Sequence, residues 1–163
     1  MCTNRVKKMT SSAEEVKEFY KRFPVILRDK LINGEVLLPD DTQFLYEPIK
    51  TYRAVEREKE DFREVTIDDF RSYFELNKTP KRLPRGVSDI TKYPLYYGAS
   101  SYLSEEKVRQ QMHFPNPKKK LAEGYVFQEG GPQQTRISDG HVCWWLYEGT
   151  DVSGFQIRED KEG

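Results

Sequence analysis

The stretch His141-Val-Cys-Trp-Trp-Leu-Tyr-Glu148 decides the fold. If it is extended, Val142, Trp144 and Leu146 lie on one face and His141, Cys143, Trp145 and Tyr147 on the other, because side chains alternate along a strand. Both faces are largely apolar, the pattern of a strand covered on two sides. The expected fold class is therefore α+β, a mixed or antiparallel twisted sheet centred on residues 141–147. About three short helices are expected to pack against it.

Working outward, 121–128 and 154–158 also have strand character, with Gly130-Gly-Pro132 as the turn between 121–128 and 141–147. Upstream, 35–38, 43–46, 50–55 and 95–100 have the same character. Ser12-Ala-Glu-Glu15 has the spacing of a capping box, and Val16, Phe19, Tyr20 and Phe23 follow at helical intervals until Pro24 stops the pattern. Thr66 caps a second expected helix reaching Asn77, with Asp69 at the capping-box position and Val65 placed to staple on Phe70. Ser104 caps a third, with Glu105 and Glu106 in its first turn. Residues 78–94 hold three prolines, a glycine and several cations without any period, and are expected to form a loop or lid.

The chain has 163 residues, enough for one sizeable core, so 11–160 is expected to form a single globular domain behind a disordered 1–10. Aromatic residues make up 13% and supply the core mass that a 36% hydrophobic content would otherwise lack. Lys and Arg number 27, as do Asp and Glu, so no global field favours nucleic acid or an anionic membrane. The amino terminus carries Arg5, Lys7 and Lys8 with no apolar run behind them, which argues for a cytoplasmic protein without a membrane span. Cys2 and Cys143 argue against a structural disulfide, and with two histidines they match no metal-ligand spacing, so no metal is expected.

Four chemistries are weighed on residues. Cys143 and His141 share a face, but at about 7 Å apart on a strand they make a poor nucleophile and base. The clusters Lys78, Lys81, Arg82, Arg85 and Lys118, Lys119, Lys120 have aromatic neighbours but belong to no nucleic-acid module, so nucleic acid is disfavoured as a partner. Tyr97-Gly-Ala-Ser-Ser101 and Gln128-Glu-Gly-Gly-Pro132 complete neither a P-loop nor a dinucleotide fingerprint. What remains is the aromatic content. It favours a binding or regulatory domain that engages a protein or small-molecule ligand, without a cofactor, through Tyr96, Tyr97, Tyr102, Trp145 and Tyr147.

The alternative is enzymatic. Tyr52-Arg53, Ser100-Ser101 and Tyr147-Glu148 each sit on or at the end of an expected strand. Their order resembles the Arg, Ser, Glu arrangement of ADP-ribosyltransferases. The resemblance implies NAD as the nucleotide, Arg53 on its diphosphate, Ser100 orienting, and Glu148 stabilising an oxocarbenium-like transition state. The chain departs from the family at Tyr102, where a Ser-Thr-Ser run would end in Ser, and at Leu146, where Gln or Glu is common.

Overall fold

Six strands form one sheet: β1 (Ile49–Glu56), β2 (Ala99–Tyr102), β3 (Lys119–Val126), β4 (Gln133–Arg136), β5 (His141–Trp144) and β6 (Gln156–Arg158). Their order is β4-β5-β2-β1-β3-β6, and every neighbouring pair is antiparallel. Among the described residues, three α-helices accompany it: α1 (Ala13–Tyr20), α2 (Val25–Ile32) and α3 (Glu105–Gln111). The computed structural model describes residues 13–158. The disorder expected for 1–10, the Ser12 cap and Cys2 lie outside them.

β5 is buried along its whole length, as the two-sided apolar pattern requires. The sheet nevertheless centres on β2 and β1, with β5 second from the edge. The reason is that loops and helices cover β5 on both faces, while the unanticipated strand β4 closes its outer side. Trp144 packs into one core with Phe70, Phe127 and Phe155, meeting Phe70 edge-on at 5.8 Å. Trp145 turns to the other face, into a second core with Phe23, Leu27, Leu31, Tyr97, Cys143 and Tyr147. Each indole N–H is satisfied by a carbonyl, Trp144 donating to Gly131 and Trp145 to Pro94. Gly131 has φ 140°, and a Cβ there would stand 1.9 Å from the Trp145 carbonyl oxygen. Only glycine fits that approach.

Several expected elements differ. α1 ends at Tyr20, ahead of Pro24, and Pro24 starts α2, because its fixed φ of −54° suits the position just before a helix. Residues 35–38 and 43–46 are not strands; Gln43 makes one isolated bridge to Gln133. The helix expected from Thr66 is a single 3-10 turn, Ile67–Phe70. It stops at Arg71, whose backbone is extended with ψ 135°, and a separate turn opens at Ser72, whose N–H donates to the Glu75 carboxylate, while Asp69 caps the Thr66 N–H and pairs with Arg57. Pro94–Tyr97 is likewise a 3-10 turn, so the strand expected at 95–100 begins only at Ala99. Residues 78–94 are mostly irregular, as expected, with a short turn at Ile90–Lys92.

Candidate functional site: a cleft where β1 and β2 part

β2 and β5 pair at four consecutive positions, from Ala99 opposite Trp144 to Tyr102 opposite His141. β1 and β2 pair at one, Tyr52 opposite Tyr102. Beyond it the two strands line opposite walls of a cleft of about 500 Å³, with 54–56 on one side and 98–100 on the other. α3 covers one flank through Val108 and Met112, and Lys78, Pro80, Pro84, Ile90 and Tyr93 of the 78–94 loop line another. Ser104 accepts from the Lys107 N–H and fixes the start of α3, as its cap spacing predicts.

Arg53 stands where the ladder is broken. Its Nη1 donates to the Ser100 carbonyl, which has lost its strand partner, and Nη2 donates to the Asp69 carbonyl at 2.8 Å. The guanidinium lies 4.7 Å from the centre of the Phe70 ring, a cation–π contact that anchors its apolar side. Nε is buried with no hydrogen-bond partner. Burial lowers the Arg53 pKa to about 10 against the favourable charge of Asp69, so the group stays cationic at neutral pH. The Asp69 carboxylate is not free to neutralise it. Arg57, 3% exposed, holds that carboxylate with two bonds of 2.7 and 2.8 Å. Burial pushes Asp69 up, but the Arg57 and Thr66 hydrogen bonds outweigh it and leave the carboxyl below its usual range. Arg53 makes no ion pair among the described residues.

On the opposite side of β2 from its carbonyl partner, the exposed Ser100 hydroxyl meets His141 Nε2 at 2.9 Å. The antiparallel register puts both on one face, with Tyr102 edge-on to the imidazole at 5.3 Å. His141 Nδ1 is buried without a partner. Asp139 accepts from the His141 backbone N–H and binds Arg136 through both oxygens. That pairing holds the Asp139 carboxyl far below its usual range. Burial, helped by the charge of Arg136 and opposed by Asp139, lowers the His141 pKa.

Of the enzymatic trio, Arg53 and Ser100 come together at this cleft and Glu148 does not line it. Glu148 is exposed beyond β5, its N–H donating to the Arg22 carbonyl in the α1–α2 turn. The five aromatic anchors also divide. Tyr96 and Tyr102 line the cleft, joined by Tyr73 and Tyr93. Tyr97, Trp145 and Tyr147 are core residues, at 6%, 0% and 5% exposure, because the second face of β5 is roofed by α1 and α2. Tyr97 also spends its hydroxyl on the Thr91 carbonyl.

Cys143 and His141 share a face as expected, but the imidazole is turned to Ser100, and burial pushes the thiol pKa far up. A Cβ on Gly98 would meet Cys143 Sγ at 2.3 Å, so the sulfur is sealed beneath the cleft wall. The basic clusters are split in role. Lys78 and Lys119 line the cleft, while Lys120 caps the Phe62 ring at 4.2 Å. Among the described residues no group of His, Cys, Asp or Glu is arranged to hold a metal. No helix among them is long and apolar enough to cross a membrane.

Sequence reading missed the Ser100–His141 contact, because 41 positions separate the two and only the strand register joins them. The signal within reach was the alternation itself, which puts His141 and Cys143 on one face and leaves His141 to a neighbouring strand. No family model, no curated protein and no solved structure matches the chain.

Proposed function

We propose that this protein binds NAD in the cleft between β1 and β2. The observation that carries the reading is Arg53: a half-buried cation that lines a 500 Å³ cleft and lacks an anionic partner among the described residues. A buried guanidinium bonded only to carbonyls gains most from a phosphate oxygen. Arg71 and Lys78 at the walls are paired with Asp68 and Glu56, which line the cleft too, so Arg53 and Lys119 carry the attraction for an anion, and Tyr73, Tyr93, Tyr96 and Tyr102 offer flat faces to a base. Diphosphate and rings are what a dinucleotide presents. Glu148 has no part in this version of the site, and the transfer step falls to groups within the cleft.

Titration of the purified chain with NAD tests the reading through its melting temperature. Ligand at 100 times its dissociation constant raises stability by about 2.7 kcal/mol. Arg53→Lys keeps the charge but loses the planar fork, and is expected to weaken NAD binding about tenfold. No shift at millimolar NAD overturns the proposal.

A second reading, the binding or regulatory domain, is favoured by the four tyrosines on the cleft. It expects a ligand that is aromatic or apolar and uncharged. Such a ligand would bind Arg53→Lys as tightly as wild type and lose affinity in Tyr96→Ala and Tyr102→Ala.

A further inference from the structure

We propose that Ser100 is a nucleophile and that His141 is its general base. A nucleophilic serine needs a base at hydrogen-bond distance, access to substrate, and a group that holds the base in the right form. Ser100 Oγ lies 2.9 Å from His141 Nε2, and Ser100 is exposed and lines the cleft. His141 is 8% exposed, so bulk water does not compete for its ring. To accept the serine proton, Nε2 must carry the lone pair, which places the ring proton on Nδ1. The Asp139 carboxylate, two residues before His141, holds that residue in place by accepting from its backbone N–H, and Tyr102 packs edge-on against the ring. The carboxylate is itself fixed by Arg136. The two make a Ser-His dyad, its imidazole positioned by packing and by the backbone bond to Asp139, with no acid on Nδ1 among the described residues.

The reaction class is substitution at an electrophilic centre held in the cleft. Ser100 Oγ bonds to that centre while its proton passes to His141 Nε2, and the leaving group departs with its electron pair. Resting here on the NAD reading, the centre is the anomeric carbon of the nicotinamide ribose. The C–N bond breaks, its pair stays on the ring nitrogen, and nicotinamide leaves neutral. The product is ADP-ribose joined to Ser100 through oxygen, and His141 returns the proton to water. The inference is therefore that the chain modifies itself on Ser100.

Two probes separate nucleophilicity from substrate. The full chain is first treated with a fluorophosphonate, which reports an activated serine irrespective of NAD, and the adduct is located by peptide mass spectrometry. Labelling is expected on Ser100, absent in Ser100→Ala, and slowed about 100-fold or more in His141→Gln. Because a buried histidine variant can misfold, the wild-type rate is also followed against pH. It should fall on acidification with a midpoint below the ordinary imidazole value near 6.5. Arg136, Asp139 and Tyr102, the charged and titratable groups facing the ring, are unchanged in that measurement. Equal labelling of wild type and Ser100→Ala, or a rate that stays flat from pH 8 down to the onset of acid unfolding, overturns the nucleophile.

Incubation with NAD then tests the substrate by intact mass. One added ADP-ribosyl group, lost in Ser100→Ala, is the expected result. NAD that shifts the melting temperature without forming an adduct overturns self-modification and leaves NAD binding standing. Fluorophosphonate labelling with neither a thermal response to NAD nor an adduct overturns the NAD reading and leaves the Ser100 nucleophile standing.

Discussion

The two seams of β2 make opposite use of the same backbone. Toward β5 the ladder is continuous over four positions and buries Val142, Cys143 and Trp144 at 1% exposure or less. Toward β1 it holds at one position, and the groups left without partners are met by a side chain, Arg53. A closed seam puts its polar groups into hydrogen bonds between strands and its side chains into a core. An open one needs a substitute partner and leaves room beside it. The difference teaches where a site can exist in this fold: at the parting of strands, within reach of groups that the closed seam holds rigid.

The largest effect is expected from breaking the closed seam. Trp144→Ala removes an indole that touches Phe70, Phe127 and Phe155 and leaves the Gly131 carbonyl with one fewer donor. Urea unfolding should show a loss of about 4 kcal/mol, in the range for emptying a large aromatic site. A loss below about 1 kcal/mol would mean that the seam is not the core, and the comparison would fail.

Next is the ion pair that supports the open seam. Arg57→Ala leaves the half-buried Asp69 carboxylate without its bidentate partner and frees the carbonyls of Glu56, Arg63 and Glu64. The cost is expected to be about 3 kcal/mol, since removing one member of a buried pair strands the other. The replacement also frees Asp69 to neutralise Arg53. NAD binding should therefore weaken in Arg57→Ala even at temperatures where the fold is intact, a result that simple destabilisation does not give.

Acidity distinguishes the seams a third way. Asp69 has a folded pKa below its unfolded one, so its contribution is complete above the unfolded value near 4 and is lost as pH falls through the folded value. His141 is also lowered, by burial first. Its neutral form is favoured in the fold, so stability is complete above about pH 6.5 and declines as the pH drops toward the folded value. Wild type should lose stability in two stages, the closed seam's His141 first. His141→Gln is expected to remove the stage that begins below about pH 6.5, and Asp69→Asn to lessen the stage below about 4, which Asp139 and Glu105 share, as read from melting temperatures across the range.

The closed seam was the legible part. Alternating apolar residues through 141–147 announced a two-sided strand, which ends at Trp144 with Trp145 and Tyr147 still buried beyond it, and 50–55 and 121–128 were recognisable for their length and β-branched or aromatic content. β4 was not, because Gln133-Gln-Thr-Arg136 has no apolar alternation; Gln133 is buried by bonding its side-chain amide to Gln43. α2 was hidden by Pro24, which reads as a stop for one helix and serves as the entry to the next. Of the site, Arg53 and Ser100 were visible as strand residues of the right chemistry. Their union depends on strand order, and strand order is set by long-range packing that no local period encodes. His141 was discounted beside Cys143 for the same reason: its partner lies on another strand.

The smallest effect separates the seams most cleanly. Ser104 caps α3 through the Lys107 N–H, and α3 reaches the open seam through Val108 and Met112. Ser104→Ala should cost about 1 kcal/mol, the usual worth of an N-cap. The loss is expected to be local, since α3 is seven residues long and packs on β1 and β2 without touching the Trp144 core. Amide exchange would read it. Faster exchange in 105–112 and 53–56, with 142–144 unchanged, is the expected pattern. Equal acceleration in 142–144 would show that the two seams open as one unit, and the cleft could then not move independently of the core.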